Sequence, residues 1–205
     1  MILIFDLDRT LIDTEKFIEA VSEIFGISVQ EIKSHIDLFF KKTGKHYSVE
    51  SHIKVLEKIG HIKNKAEKKI IEAKYKKLLK NPKILFFDQA IEILNYLKDK
   101  GHRLFLMTLG EPSSQKRKVE SSGIKKYFEK VIYETKSKAD NKIIKNFVNS
   151  GEEVLIINDK ASESLAIQKA IGKKAKIFLV NGPHSKNVDH KEKIYKNISE
   201  LKSIL

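Results

Sequence analysis

Asp6 and Asp8 stand two residues apart in "FDLDRT", at the end of the apolar run Ile2 to Phe5. Two carboxylates at the tip of a strand repel one another and resist burial, so the stability of a fold does not ask for them. A bound cation would, and so would a reaction in which one carboxylate attacks while the other handles a proton. Residues two apart in an extended segment face the same way, so one phosphorus centre or one cation can see both Asp6 and Asp8. Other apolar runs also end in chemistry-bearing residues. Thr108 closes "RLFLMT", and Asn158 and Asp159 close "EVLIIND", with Glu163 four positions after Asp159. The stretch "KSKADNK" offers Lys136, Lys138 and Lys142. The chain contains no cysteine, which removes disulfides, thiolate nucleophiles and Cys-ligated zinc; a metal would have to sit on oxygen or histidine.

The elements that must position these residues alternate from residue 84 onward. Helical spacing over 88–101 stops at Gly101 and is followed by a buried-type strand at 103–108. A helix then opens at Pro112 and stops at Gly123, followed by a strand at 130–134 and a helix over 139–151. A strand at 153–159, a helix through "SESLAIQKAIG" and a strand at 175–180 complete the run, and residues 190–205 read as a closing helical segment. With the strand at 2–7 this predicts an α/β fold with a five-stranded parallel sheet covered on both faces. Ligands of such sheets collect outside the carboxyl ends of the strands, where the residues above lie.

Residues 14–83 carry no strand pattern. "SVQE" and "NKAE" place a capping residue three positions before a Glu, and Ile53, Leu56 and Ile59 have helical spacing. The expected organisation is a core of 1–13 and 84–205 with an all-helical cap of 14–83 as its own module. Within the cap, "KKTGKHYS" is either a substrate-facing loop or an ordinary helix connection. His35, His46, His52 and His61 lack metal-ligand spacing and are expected at the surface.

At 205 residues and 41% apolar content the chain reads as globular, and its apolar runs are strand-sized, too short to span a membrane. Asp6 interrupts the first apolar run and no basic leader precedes it, so the N-terminus does not read as a secretory signal and a cytoplasmic protein is expected. The net charge of +13 comes from 37 Lys and three Arg, and residues 14–86 supply +7 of it (16 Lys against 9 acids). An excess that is spread out and poor in Arg describes a lysine-rich solvated surface better than a nucleic-acid-binding face. It would still attract small phosphate esters.

"DLDRT" resembles the Asp-x-Asp-x-Thr motif of the haloacid dehalogenase (HAD) superfamily. Thr108 resembles its second motif, Lys138 before a helix its third, and "NDKASE" its fourth; Lys136 remains the alternative lysine. The resemblance covers essentially the whole chain, and the helical insert is similar to the cap of the phosphoglycolate phosphatase and β-phosphoglucomutase branch. It implies a Rossmann-like core, Asp6 as nucleophile, Asp8 as general acid and base, and Thr108 and Lys138 on the transferring phosphoryl group. Mg²⁺ would be held by Asp6, by the Asp8 backbone carbonyl and by Asp159. Dehalogenases of the superfamily lack the acid at the Asp8 position. Three departures stand out: Arg9 and Asn158 occupy positions where glycine is usual, and Glu163 one where aspartate is usual. The expected function is a Mg²⁺-dependent phosphatase of a small phosphorylated metabolite, working as a monomer or weak homodimer. A phosphomutase, or a nucleic-acid-associated protein with a degenerate site, is the alternative.

Overall fold

A computed structural model of the chain describes residues 1–44, 46–172 and 175–205, the side chains of residues 145 and 148–150 excepted. Six strands form one parallel sheet: β1 (Ile2–Phe5), β2 (Arg103–Leu109), β3 (Lys130–Glu134), β4 (Val154–Asn158), β5 (Ala175–Val180) and β6 (Ile194–Tyr195). Their order is β3-β2-β1-β4-β5-β6. β1 is buried along its whole length, between Leu3↔Leu104 on one side and Leu3↔Leu155 on the other, as expected of a central strand of a sheet covered on both faces. The chain steps outward from β1 to β3, then returns to β4 on the opposite side of β1. The strand order therefore reverses between β1 and β4, which opens a crevice at their carboxyl ends.

The sixth strand corrects the sequence reading of five. β6 lies where a closing helical segment was expected, pairing Leu179 with Ile194 and Val180 with Tyr195. A 3₁₀ helix over Ile198–Ser203 is the helical part of that segment, opened by an Asn197–Glu200 capping box. The Tyr195 ring stacks on Phe178 at 4.0 Å, so a two-residue strand is fixed by packing that no alternation pattern announces.

Between β1 and β2 the chain is helical: α1 (Thr14–Phe25), α2 (Val29–Thr43), α3 (Val49–Lys58), α4 (Lys65–Leu79), α5 (Pro82–Leu85) and α6 (Ala90–Asp99). Local chemistry sets these boundaries. Asp13 caps α1, and Ser28 and Glu31 form a reciprocal capping box at α2, each satisfying an orphan N–H of the other's backbone. Asn64 caps α4 through the N–H groups of Ala66 and Glu67. Gly26 and Gly44 end α1 and α2 in the left-handed conformation that glycine adopts without strain. Among the described residues no helix is long and apolar enough to cross a membrane. The remaining helices are α7 (Pro112–Ser121), α8 (Lys142–Ser150) and α9 (Ala161–Ile171), with a 3₁₀ turn at Ile124–Tyr127.

Two apolar clusters lie on opposite faces of the sheet. One runs from Leu3, Phe5 and Leu106 through Leu7, Phe17 and Tyr75 into the insert, so α1 and α4 share a core with the sheet. The other gathers Ile4, Met107 and Ile156 with Ile144 and Ile167 beneath α8 and α9.

His52 departs from its expected surface position. It is buried, accepting or donating between His35 Nδ1 at 2.8 Å and Tyr47 OH at 2.6 Å. Burial, and then the proximity of His35 and His61, push its pKa down to about 4, so the ring is neutral.

Candidate active site

The site forms at the β1/β4 crevice. Asp6 directly follows β1, and its N–H donates to Ile157 O at 2.9 Å, extending the β1–β4 register by one residue. The chain then turns sharply. Leu11 N and Ile12 N both donate to Leu7 O, at 3.0 and 2.9 Å, and Arg9 N donates to Ile12 O at 2.9 Å. The turn requires a left-handed residue at position 9, where Arg9 has φ +60°, a conformation costing a non-glycine residue about 1 kcal/mol. This explains physically why glycine is usual there.

Asp6 is held by a buried ion network. Lys138 Nζ reaches Asp6 Oδ1 at 2.6 Å and Glu163 Oε2 at 2.6 Å, and Lys138 itself is only 2% exposed. Asn158 Nδ2 donates to the same Glu163 oxygen at 2.8 Å. Two of the sequence departures are thus partners: the longer carboxylate of Glu163 carries Lys138 towards Asp6, and Asn158 fixes that carboxylate. Lys136 is exposed and Lys142 begins α8, so of the three lysines it is Lys138 that meets Asp6. Burial opposes the charge on Lys138, but Asp6 and Glu163 outweigh it and hold its pKa above the usual lysine range. Burial likewise opposes ionisation of Glu163, yet Lys138 pulls that carboxyl below its ordinary value. Asp6 is pushed up to about 6, by burial first, with Glu163 and Asp8 adding to it and Lys138 opposing.

Asp8 points the other way. Lys118 Nζ meets Asp8 Oδ1 at 2.8 Å, and Gln115 Nε2 donates to Asp8 Oδ2 at 2.8 Å. Burial works against ionisation here too, but Lys118, Gln115 and Arg9 together bring Asp8 below the usual carboxylate range. Gln115 and Lys118 are neighbours of Asp8 that the sequence reading missed. The signal was present: they stand three apart on the helix that follows Thr108, hence on one face. In a chain with 37 lysines, however, Lys118 has nothing to mark it. Gly110 makes room for this contact, since a Cβ there would come within 2.5 Å of Gln115 Nε2.

Several buried polar atoms in this region have no partner among the described residues. Thr108 Oγ1 at the end of β2, Thr10 Oγ1 and Asp159 Oδ2 are buried without a hydrogen bond. Burial, with Asp6 next, pushes Asp159 up to about 7, against the pull of Arg9 and Lys138. Two buried carboxylates that disfavour each other's charge, one with an unpartnered oxygen, suit a small hard cation that takes oxygen ligands and keeps its waters. A Cβ at Gly182 would lie 3.4 Å from Asp159 Oδ2, so glycine keeps that side of the carboxylate open. Among the described residues no three His, Asp or Glu side chains gather as a metal cage, and the Asp8 carboxylate is turned to Lys118 and Gln115. The residues that fit a divalent ion are therefore Asp6 and Asp159, with backbone and water oxygens completing the set.

Above Asp8 a cavity of about 380 Å³ opens between the sheet edge and the insert. Arg9 and Lys118 line it from the core, and Phe40, Lys41, His46 and Tyr47 from the insert. Part of the "KKTGKHYS" stretch, His46 and Tyr47 included, thus faces the cavity; its Lys45 lies outside the described residues.

The fold is shared with known hydrolases. A haloacid dehalogenase-like hydrolase of Burkholderia xenovorans superposes with a TM-score of 0.70 at 15% identity, over 99% of this chain and 95% of that one. A HAD hydrolase of Bacillus subtilis bound to magnesium gives 0.62 at 17% identity, over 99% and 97%. The L-2-haloacid dehalogenase of Xanthobacter autotrophicus with chloropropionic acid covalently bound gives 0.65 at 12%, over 99% and 97%. No curated protein matches the sequence. The model of one family, described as haloacid dehalogenase-like hydrolase, matches residues 3–180, most of the chain and every site residue just described except Gly182. The chain belongs to the haloacid dehalogenase-like hydrolase family.

Proposed function

We propose that this hydrolase is a Mg²⁺-dependent phosphatase that cleaves a small phosphate monoester through an aspartyl-phosphate on Asp6. The observation that carries the reading is the separation of the two carboxylates: Asp6 sits in the Lys138 network while Asp8 has a cation and an amide of its own. Ester formation on a haloacid needs only the first of these groups. A second carboxylate beside the nucleophile is what phosphoryl transfer to and from oxygen requires.

In the first step an Asp6 oxygen attacks phosphorus and the bond from phosphorus to the leaving oxygen breaks, that oxygen taking a proton from Asp8. In the second, water attacks phosphorus, Asp8 accepts its proton, and the bond to Asp6 breaks, releasing inorganic phosphate. Asp8 must be protonated for the first step, and its pairing with Lys118 sets how readily that happens. Thr108 Oγ1, buried and unpartnered, and Lys138 would hold the transferring oxygens, where charge spreads in the transition state. Asp6 and Asp159, with the Asp8 backbone carbonyl, would hold Mg²⁺, which supplies charge neutralisation between the nucleophile and the phosphoryl oxygens. The helical insert closes the far side of the cavity against bulk water. The protein is expected to be cytoplasmic and to meet its metabolite as a monomer or weak homodimer.

The test is phosphate release from 4-nitrophenyl phosphate with and without Mg²⁺, beside chloride release from 2-chloropropionate. Metal-dependent phosphate release that vanishes in Asp6→Asn and Asp8→Asn is expected. Chloride release without phosphate release would overturn the reading.

A further inference from the structure

Arg9 bears two costs that the turn itself does not require. Its φ of +60° is strained for any residue with a Cβ, and glycine would make the same backbone bonds, to Ile12 O at 2.9 Å and Thr14 Oγ1 at 3.0 Å. Its Nε is buried without a hydrogen-bond partner, an arrangement that is expensive for a charged donor. The one ion pair found for its guanidinium among the described residues is a 3.3 Å contact with Glu15, whose other oxygen is already held by Lys33 at 2.8 Å. Strain and an unsatisfied donor kept together beside a catalytic carboxylate point to a function, because packing does not account for them.

The place of the side chain says which function. Its charge acts on Asp8 and on Asp159, and it borders the 380 Å³ cavity, whose lining residues do not include Asp6 or Lys138. Lys41, from α2, lines the same cavity on the insert side. Of the acids lining the cavity, Asp8 is taken by Lys118, which leaves Asp37, one helical turn before Lys41. A planar guanidinium with unused donors matches the paired oxygens of a carboxylate or phosphate.

We propose that Arg9 reads a second anionic group on the leaving-group side of the substrate, so that the site selects phosphate monoesters carrying a carboxylate or a second phosphate. The proposal rests on the phosphatase reading. Lys41 is the second cation this anion would meet when the insert closes over it.

The test uses a matched pair, 3-phosphoglycerate and glycerol 3-phosphate, which differ by a carboxylate in place of a hydroxymethyl group. Both kcat/KM and calorimetric binding are measured for the wild type, Arg9→Gly and Arg9→Lys in the presence of Mg²⁺. The wild type should favour 3-phosphoglycerate by at least about tenfold, the size expected of one charge-assisted hydrogen bond or more. In Arg9→Gly that ratio should fall towards one, with Arg9→Lys between. Because glycine relieves the strained turn, Arg9→Gly should melt no lower than the wild type, which separates loss of recognition from loss of fold. Equal binding of the two probes by the wild type, no binding of either, or an equal loss on both in Arg9→Gly would overturn the inference. In the last case Arg9 would be acting on the transferring phosphoryl group. Turnover of 4-nitrophenyl phosphate is followed in parallel; absence of phosphate release from it and from both probes would sink the phosphatase reading, while the binding ratio would still decide the role of Arg9.

Discussion

The carboxyl edge of the sheet and the helical insert treat buried ionisable groups in opposite ways. At the edge, Asp6, Lys138 and Glu163 are brought together as charges, with Lys138 in contact with both acids. In the insert, His52 is just as well hydrogen-bonded, to His35 and Tyr47, but its ring is kept neutral, its pKa pushed down to about 4. A neutral buried ring is a packing device. A charged network in the same degree of burial is costly unless each member is paired, and it is tolerated where chemistry needs a nucleophile. On the proposed reading, the chemistry belongs to the edge and the insert shapes the cavity over it.

The largest effect should come from the edge. Asp6→Asn should lower kcat for phosphate release by at least about 10³-fold while the protein still melts cooperatively, because Lys138 keeps Glu163 as a partner. Lys138→Met should be costly to the fold as well as to activity. It leaves Asp6 and Glu163 as unpaired buried acids, and urea denaturation should register a loss of about 3 kcal/mol. An unchanged midpoint would mean that the network is not formed in solution, and the contrast with the insert would disappear.

Lys118→Met tests the other carboxylate. Removing the ammonium frees Asp8 to rise towards the ordinary range, so the high-pH limb of the kcat/KM profile, where Asp8 loses the proton the first step needs, should move to higher pH. A limb that does not move would remove Asp8 from proton transfer. Gly110→Ala should act on the same group more gently: the new Cβ displaces the Gln115 amide and removes one hydrogen bond from Asp8, without touching Lys118. A few-fold loss of kcat is expected, on the scale of one hydrogen bond.

The smallest effect belongs to the insert. His52 has a folded pKa of about 4 against 6.5 when unfolded, so between those values the unfolded chain binds more protons. The stability contributed by neutral His52 is fully present above pH 6.5 and is lost as pH falls towards 4. His52→Gln should flatten the melting temperature over that window and leave the pH–rate profile in place. A change in the rate profile would show that the insert takes part in the chemistry.

Much of this arrangement is legible in the sequence because the edge residues are tied to strand ends. Thr108 and Asp159 each close or follow an apolar run, and the register of a parallel sheet brings such ends together. The five longer strands follow from the same runs, whereas β6 depends on the stacking of Tyr195 on Phe178 and has no pattern of its own. Lys118 and Gln115 escape notice because a helical lysine in this chain is ordinary and only the tertiary fold aims these two at Asp8. The burial of His52 was recoverable: Val49, His52, Ile53 and Leu56 share helical spacing and form the buried face of α3. The meaning of Arg9, Asn158 and Glu163 was not. Each departs from a pattern, but only the distances show that Asn158 and Glu163 compensate one another and that Arg9 stands strained at the cavity.

The central claim is a covalent phosphoryl group on Asp6. It is tested most directly by mixing the protein with Mg²⁺ and 4-nitrophenyl phosphate, quenching in acid within the first turnover, and mapping the adduct by peptide mass spectrometry. The account predicts a phosphoryl mass increment on the peptide carrying Asp6, accumulating further in Asp8→Asn if water attack is slowed more than phosphoryl transfer, and absent from Asp6→Asn. Phosphate release without any such increment on Asp6, or an increment that survives in Asp6→Asn, would contradict it.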